Sequence, residues 1–326
     1  MENIKKAKAK KSKDNKKKIN KTNANKPSFE TDVIEKGCWV HLVDPLSTEI
    51  EQVSECTGLD IEFLRAALDK EESSRLDVEE EQVLVLLDIP VMDVIETSAR
   101  YNTFPLGLIL NNDFIVTVCL QENNIIDDFL EQKIKTFYTY KKSRFILQML
   151  LRIDKYYMSF LKQIDKASKN VEISLRKSMK NKELIELMEL ERSLVFFSTS
   201  LKSNQTTLEK MMKLKMMKKY PEDEDLLEDV IIENRQAIEM ATIYSNILSG
   251  TMDAFASIIN NNLNMVMKLL TSITIVMAIP TIIGSFFGMN VRVPWGDFNY
   301  GFISIIGITA IVSGIVLFIL ARKNLL

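Results

Sequence analysis

The sequence predicts an α+β cytosolic domain followed by long antiparallel helices and two C-terminal transmembrane helices. Three observations indicate this fold class: short β-rich and helical segments alternate in the first part, apolar residues recur at helical spacing in the middle, and two long apolar segments close the chain. We therefore divide the chain into a lysine-rich tail (1–27), an α/β domain (28–131), a long-helix cytosolic region (132–268) and a two-helix transmembrane domain (269–326).

Lysine dominates the N-terminal tail. Residues 1–26 contain 11 lysines against Glu2 and Asp14, a charge of about +9, and the total of −2 leaves the rest of the chain near −11. Such a run without aromatic residues cannot bury enough apolar surface to fold, so we expect disorder. The tail either attracts anionic lipid or only solubilises the chain. Because base-stacking aromatics are absent from it, we expect no nucleic-acid partner.

Short strands and helices alternate between residues 28 and 131. Apolar, β-rich runs predict strands at residues 38–43, 83–90, 103–110 and 113–120, with a turn at Asn111-Asn112. Helices are predicted at residues 47–57, stopped by Gly58, and at residues 59–68. Alternation of this kind indicates an α/β or α+β domain with a core of its own.

Beyond about Ile125 the sequence is rich in charge and nearly free of proline. Leu147 and Leu150 begin a series of apolar residues at helical spacing, which predicts long antiparallel helices. Asn181 and the polar residues 203–205 are predicted turn or cap points.

One continuous helix is predicted to lead into the membrane. From about Glu224 the sequence holds no strong break before the first apolar segment, so a single helix would be on the order of 90 Å long. The alternative is two helices broken at Ser249-Gly250.

The two apolar segments, residues 269–287 and 302–320, contain no charge. Each has about 19 residues, or roughly 28 Å of helix, which is the thickness of the hydrocarbon layer of a bilayer. Pro280 is tolerated as a kink in such a helix. The alternative is the buried hairpin of a soluble protein. We predict two membrane crossings, with the lipid bilayer as a partner.

Flanking charges predict the orientation of the two crossings. Lys268 precedes the first, Arg322 and Lys323 follow the second, and the connection holds Arg292 against Asp297. The positive-inside rule then places both termini in the cytoplasm, in a multi-pass protein of the cell membrane.

Several classes of catalytic site are excluded by composition. The sequence has no Gly-rich phosphate loop, no dinucleotide fingerprint and no Cys/His metal cluster. His41 is the sole histidine and lies in an apolar strand pattern, so we interpret it as structural. Cys38, Cys56 and Cys119 lack metal-type spacing and are interpreted as buried or incidental thiols. We predict that the protein is not an enzyme.

A weakly polar stripe runs along the first apolar helix. At 100° per residue, its members fall within an arc of about 120°. They are Asn264, Met267, Leu270, Thr271, Thr274, Ala278, Thr281, Ser285 and Gly288. Such hydroxyls either bond to their own backbone or a neighbouring helix, or they line a pore.

A pore would require several copies of the chain, because two helices cannot enclose a conduit. Rings of neutral oxygen ligands suit a hard divalent cation that keeps its water, and magnesium dehydrates reluctantly. The stripe therefore raises the hypothesis of a path for hydrated divalent cations.

The triplet Gly288-Met289-Asn290 directly follows the first span, a second span comes after it, and the chain has a basic end at Arg322-Lys323 behind a large cytosolic front. In these features the sequence resembles the CorA family of magnesium transporters, most clearly from residue 229 to residue 326. The resemblance implies a CorA-like funnel, a homopentamer with an inner ring of first spans around the pore.

The resemblance also implies roles for individual residues. Gly288, Met289 and Asn290 would form the selectivity filter, in which the Asn290 ring would bind hydrated Mg²⁺ and Gly288 would offer carbonyls behind it. Met267 and Leu270 would form the apolar constriction. The pore-lining residues would be Asn264, Met267, Leu270, Thr271, Thr274, Ala278 and Thr281.

Regulation by intracellular Mg²⁺ is a further implication of the resemblance. Asp229 lies in the stretch 228–230 that resembles the family's regulatory metal site between subunits, although the alternative is a solvated acidic helix start. Ala66 stands where the family's partner carboxylate is expected, with Asp69 close by.

The hypothesis is therefore a Mg²⁺ channel driven by the membrane potential, with Mg²⁺ as transported and regulatory ion and Co²⁺ and Ni²⁺ as secondary substrates by the resemblance. A divalent cation gains roughly 4.6 kcal/mol in a potential of about 100 mV, so passive uptake is adequate. The alternatives are a zinc transporter of the same superfamily and a membrane-tethered helical scaffold.

Overall fold

The structure is a computed structural model that describes residues 35–95, 98–134, 138–178, 181–214, 223–289 and 300–323. The tail predicted at residues 1–27 and the filter residue Asn290 lie outside the described residues. The chain contains two compact units, one ending at Ser249 and the other beginning at Gly250. The four-segment division made from the sequence stays a prediction.

The described residues form five strands and seven helices. The strands are β1 (Trp39–Val43), β2 (Arg75–Glu79), β3 (Gln82–Ile95), β4 (Ser98–Leu110) and β5 (Ile115–Cys119). The helices are α1 (Ser47–Thr57), α2 (Ile61–Ala66), α3 (Asn124–Leu130), α4 (Lys142–Ser178), α5 (Asn181–Met211), α6 (Glu224–Phe287) and α7 (Gly301–Arg322).

A single sheet organises the first unit, with the strand order β1-β5-β4-β3-β2. β1 lies parallel to β5, and every other pair is antiparallel. The predicted turn at Asn111-Asn112 is confirmed: the Asn111 side chain accepts hydrogen bonds from the backbone N–H groups of Asp113 (3.0 Å) and Phe114 (2.8 Å). This Asx-type turn reverses the chain between β4 and β5.

Both faces of the sheet are covered, which explains its nearly continuous apolar strands. Leu84 and Leu86 belong to the buried cluster formed with α1 and α2. Val85, which alternates with them, is buried on the opposite face. On that side the ring of Trp39 packs edge-on against Phe145 of α4, with centroids 5.2 Å apart.

The boundaries of α1 agree with the prediction from the sequence. The Glu49 carboxylate accepts a hydrogen bond from the backbone N–H of Leu46 (2.8 Å), which caps the start of the helix. Gly58 ends the helix with a φ of 69°, a left-handed conformation that glycine adopts without a steric cost.

Two elements of the first unit differ from the prediction. β2 is an additional strand at the sheet edge; its five residues alternate polar and apolar, but the strand is short and three of the five are charged. The sequence predicts long helix from about Ile125, whereas the short helix α3 comes first. Asp128 of α3 is buried and accepts hydrogen bonds from Tyr156 (2.7 Å), Lys133 (2.9 Å) and Arg152. This ion-paired contact attaches α3 to α4.

The prediction of a turn or cap at residues 203–205 is wrong, because α5 continues to Met211. Polar residues of this stretch instead form hydrogen bonds that hold α5 on the sheet. Asn204 is buried, and its side chain donates to the backbone carbonyl of Asp88 (2.8 Å) and accepts from the N–H of the same residue (2.9 Å). By contrast, the predicted boundary at Asn181 is confirmed as the start of α5.

Three long helices complete the first unit. Tyr157 of α4 packs edge-on against Phe197 of α5, with centroids 5.0 Å apart, in an antiparallel pair. α6 runs parallel to α4. Ser143 bonds to Asp223, directly before α6, and Asp154 bonds to Asn234; both pairs are 80 residues apart, so the two helices advance in the same direction. The predicted single helix is confirmed, since α6 is continuous for 64 residues and passes through Gly250 and Pro280.

Candidate functional site

The predicted stripe lies on the surface of α6. Asn264, Met267, Leu270, Thr271, Thr274 and Thr281 are all exposed, and Ala278 is half-buried. Met267 and Leu270 are 52% and 57% exposed, which is unusual for large apolar side chains and marks this face as one that needs a covering or a function.

The threonine hydroxyls of the stripe donate to their own helix. Thr271 bonds to the carbonyl oxygen of Met267 (2.7 Å), Thr274 to that of Leu270 (2.8 Å), and Thr281 to that of Met277 (3.1 Å). This backbone bonding is one of the alternatives left open by the sequence. A hydroxyl that donates its proton to the backbone still has lone pairs on its oxygen. The threonine oxygens of the stripe can therefore accept hydrogen bonds from solvent.

Burial in the second unit follows one line along each of its two helices. In α7 the shielded residues recur every three or four positions on a single face: Gly301, Ile305, Thr309, Ser313, Val316 and Leu320. In the apolar part of α6, apart from Ala278, they are Ser272, Val276, Ile279, Ile283 and Phe287. Two such lines are typical of helices packed side by side.

The shielded face of α6 is opposite the stripe. At 100° per residue the centre of the shielded line and the centre of the stripe differ by about 160°. α6 thus has one shielded face and a polar face on nearly the opposite side.

The C-terminal end of α6 forms the start of the predicted filter. The backbone N–H of Gly288 donates to the carbonyls of Gly284 (3.0 Å) and Ser285 (3.2 Å), and Gly288 and Met289 are exposed. The last carbonyls of a helix lack intrahelical partners and carry partial negative charge, so they favour a cation.

Two further residues of the polar face were not identified from the sequence. Asp253 and Asn260 are exposed and fall within the same arc when the 100° arithmetic is extended toward the N-terminus. Both residues lie before Asn264, the first residue of the predicted stripe, and their helical spacing to it is visible in the sequence. Asp253 adds a carboxylate to this face.

The predicted regulatory residue lies elsewhere, in the first unit. Asp229 is exposed in the second turn of α6, and Asp69 is exposed after α2, where it accepts a hydrogen bond from the N–H of Glu71 (3.0 Å). Ala66 is half-buried. Among the described residues, no group of three or more histidine, cysteine or acidic side chains could hold a metal ion within one chain.

The histidine and the cysteines take structural positions. His41 lies in β1, and its Nδ1 is 2.8 Å from Thr117 Oγ1. Burial raises the pKa of the Cys119 thiol to about 12, so this thiol stays protonated, whereas Cys56 is exposed. All three cysteines are free.

Two described helices, α6 and α7, are long and apolar enough to cross a membrane. In the most apolar stretch of each helix, only 6% of α6 and 0% of α7 is buried. This exposure speaks against the alternative of a hairpin in a soluble core, because such a hairpin would be covered by protein.

Comparisons with known proteins agree with this architecture. The family described as CorA-like Mg²⁺ transporter protein matches residues 35–322. The cobalt/magnesium transport protein CorA of Methanocaldococcus jannaschii is 24% identical over 296 residues, which cover 88% of this chain and 90% of the relative.

Solved structures share the fold. The complete CorA magnesium transporter of M. jannaschii has a TM-score of 0.77 at 23% identity, covering 88% of this chain and 91% of the other. The cytoplasmic domain of ZntB from Vibrio parahaemolyticus has a TM-score of 0.53 at 8% identity, covering 69% and 87%. The resemblance read from the residues is confirmed, and the chain belongs to the CorA-like Mg²⁺ transporter family.

Proposed function

We propose that this chain assembles as a homopentamer in the cell membrane and conducts hydrated Mg²⁺ into the cytoplasm. The polar faces of five α6 helices line the path, α7 packs outside them, and both termini lie in the cytoplasm. Internal Mg²⁺ bound at Asp229 holds the path shut.

The observation that carries the proposal is the two-sidedness of α6. Its shielded residues are typical of packing against α7, and its acceptor-rich stripe points about 160° away. In a ring with α7 on the outside, this arrangement turns the stripe toward the axis. A helix that served only as a tether would have no reason to keep amides and hydroxyls on the face opposite its neighbour.

The mouth of the path suits a cation that keeps its water. We assign Asn290 to a ring of amide oxygens, with the carbonyl of Gly288 behind it. Neutral oxygens accept hydrogen bonds from the water shell of Mg²⁺ without removing that shell. The end of the α6 dipole adds partial negative charge at the same place.

Further along the path, the character of the stripe changes. Met267 and Leu270 place exposed apolar side chains on it and would form a constriction that excludes water when narrow. Asp253 and Asn260 continue the polar face on the cytoplasmic side of that constriction. A ring of carboxylates there would concentrate cations by its field.

Flux into liposomes of known orientation tests the proposal. The full chain is reconstituted, and uptake of Mg²⁺, Co²⁺, Ni²⁺ and Zn²⁺ is measured with and without an imposed inside-negative potential. We expect Mg²⁺ uptake that increases with the potential, since the ion carries two charges. Protein-free liposomes are the control for leakage.

Three other outcomes separate the alternatives. Uptake of Zn²⁺ without Mg²⁺ would favour a zinc transporter of the same superfamily. Metal uptake that does not depend on the potential but increases with a proton gradient would exclude a passive channel. Protein that inserts and transports no metal would favour a membrane-tethered scaffold.

A further inference from the structure

One contact in the first unit leaves two buried oxygens without partners. Asp154 of α4 and Asn234 of α6 are only 1% and 3% exposed. The Asn234 Nδ2 group donates a hydrogen bond to Asp154 Oδ1 at 3.0 Å. Among the described residues, neither Asp154 Oδ2 nor Asn234 Oδ1 has a hydrogen-bond partner. Buried polar atoms of this kind are rare in folded proteins and call for an explanation.

A proton on Asp154 would satisfy both oxygens. A carboxylate and an amide oxygen are both acceptors, so the ionised pair can form only the bond already described. A carboxylic acid protonated at Oδ2 gains an O–H donor, and the amide oxygen of Asn234 is an acceptor on the neighbouring group. Acid and amide can then close a ring of two hydrogen bonds across the interface between α4 and α6.

Among the described residues, no positive charge contributes to the shifted pKa of Asp154. From α6 the acting charge is the Glu233 carboxylate, which raises the pKa further. From α4 the neighbour is Tyr157, whose hydroxyl donates to the Asp88 carbonyl of β3. From α5, Phe197 packs on Tyr157. Burial first, and then Glu233, raises the pKa of Asp154 to about 7.

We propose that Asp154 and Asn234 form a proton-operated latch that packs α6 on α4 while Asp154 is protonated and loosens when Asp154 ionises. Since α6 is the helix that continues to Phe287, the latch makes cation flux depend on cytosolic pH. This last step rests on the proposed function, and the packing step does not.

The direction of the pH dependence follows from linkage. The pKa of Asp154 is higher in the packed state than in a solvated aspartate, so the packed state binds the proton more tightly. Packing is therefore strongest at low pH and weakens as the pH rises toward and past 7. The pH range over which the packing weakens includes the ordinary pH of cytoplasm.

Distance measurements in the reconstituted full chain test the latch. Spin labels are placed by Lys162→Cys on α4 and Thr242→Cys on α6, two exposed positions at the same offset of 80 that relates Asp154 to Asn234, in a Cys56→Ser background. Labelled chain is diluted with unlabelled chain so that one protomer is measured. Between about pH 5 and 9 we expect the label distance or its spread to increase, with a midpoint near 7.

Three variants test whether the pH-dependent change in distance comes from Asp154 and Asn234. Asp154→Asn keeps the shape and cannot ionise, so the transition should be lost. Asn234→Leu removes both hydrogen bonds of the proposed ring, so the pH-dependent change in label distance should be smaller than in the wild type. Asp165→Asn is the matched control: it is also on α4, but its carboxylate pairs with Lys169 at 2.7 Å, and it should leave the transition unchanged.

Flux at varied internal pH completes the test. Wild-type Mg²⁺ flux should show a transition with the same midpoint, and the transition should vanish in Asp154→Asn. A wild-type label distance that does not change with pH, or a change that persists in Asp154→Asn, overturns the latch. A distance transition in a protein with pH-independent flux overturns only its link to transport, and a protein without flux at any pH overturns the proposed function while the distances still decide the latch.

Discussion

At the scale of single residues, the proposed filter makes selectivity depend on Asn290. We expect Asn290→Ala to abolish Mg²⁺ flux, because the amide oxygens that bind the water shell of the ion are lost, while assembly stays intact. Flux in liposomes and the oligomer size in detergent are the two measurements. Asn262→Ala is the matched control, since Asn262 is an exposed amide of α6 outside the polar arc. Normal Mg²⁺ uptake by Asn290→Ala would remove the filter assignment.

Asp229 supports a second prediction at this scale, on regulation. We expect Asp229→Lys to weaken inhibition by internal Mg²⁺, because a cation replaces a ligand of the regulatory ion. The measurement is channel current in excised patches at rising internal Mg²⁺. Glu228→Lys, at the exposed neighbouring position, carries the same charge change and should affect inhibition much less. Equal effects of the two variants would indicate a general field and not a ligand.

At the scale of elements, the packing of α5 on the sheet shows that a polar run in the sequence can belong to a helix interior as well as to a turn. Residues 203–205 predict a turn, because serine and asparagine are common where helices end. Asn204 instead forms two hydrogen bonds with the backbone of Asp88 in β3, beside the bonds that this backbone forms with Ser74 and Tyr157. Only the neighbouring strand, distant in sequence, distinguishes the two cases.

This contact gives a prediction about stability. We expect Asn204→Ala to lower the free energy of unfolding of the first unit by roughly 1–2 kcal/mol, because the N–H and C=O of Asp88 each lose one of two hydrogen bonds. Urea unfolding followed by tryptophan fluorescence would report it, since Trp39 lies in the same sheet. Gln205→Ala is the control, as Gln205 bonds to the exposed Glu209. A loss of equal size in both variants would contradict the assigned role of Asn204.

At the scale of the whole molecule, a single chain leaves much apolar surface uncovered. Leu263, Met265 and Val266 are each about 60% exposed on α6, before its shielded line begins at Ser272. We predict a ring of five chains. Native mass spectrometry of the purified protein in mild detergent should give a homopentamer, with cross-links between neighbouring α6 helices. A monomer under these conditions would contradict the pore.

The sequence by itself determined the membrane character, the continuity of α6 and the family. Each of these depends on composition, helical period or a short motif along one segment, as with the uncharged residues 269–287 and the triplet that ends in Asn290. The bounds of α1 also followed from local signals, because capping by Glu49 and the left-handed Gly58 are properties of neighbouring residues.

Tertiary structure alone decided which residues meet across elements. The face of α6 that is shielded, the clasp of Asn204 on β3 and the pairing of Asp154 with Asn234 all join positions far apart in the chain. The physical reason is that burial and hydrogen-bond satisfaction are set by the neighbour a side chain packs against, and helical period specifies a face without specifying its partner.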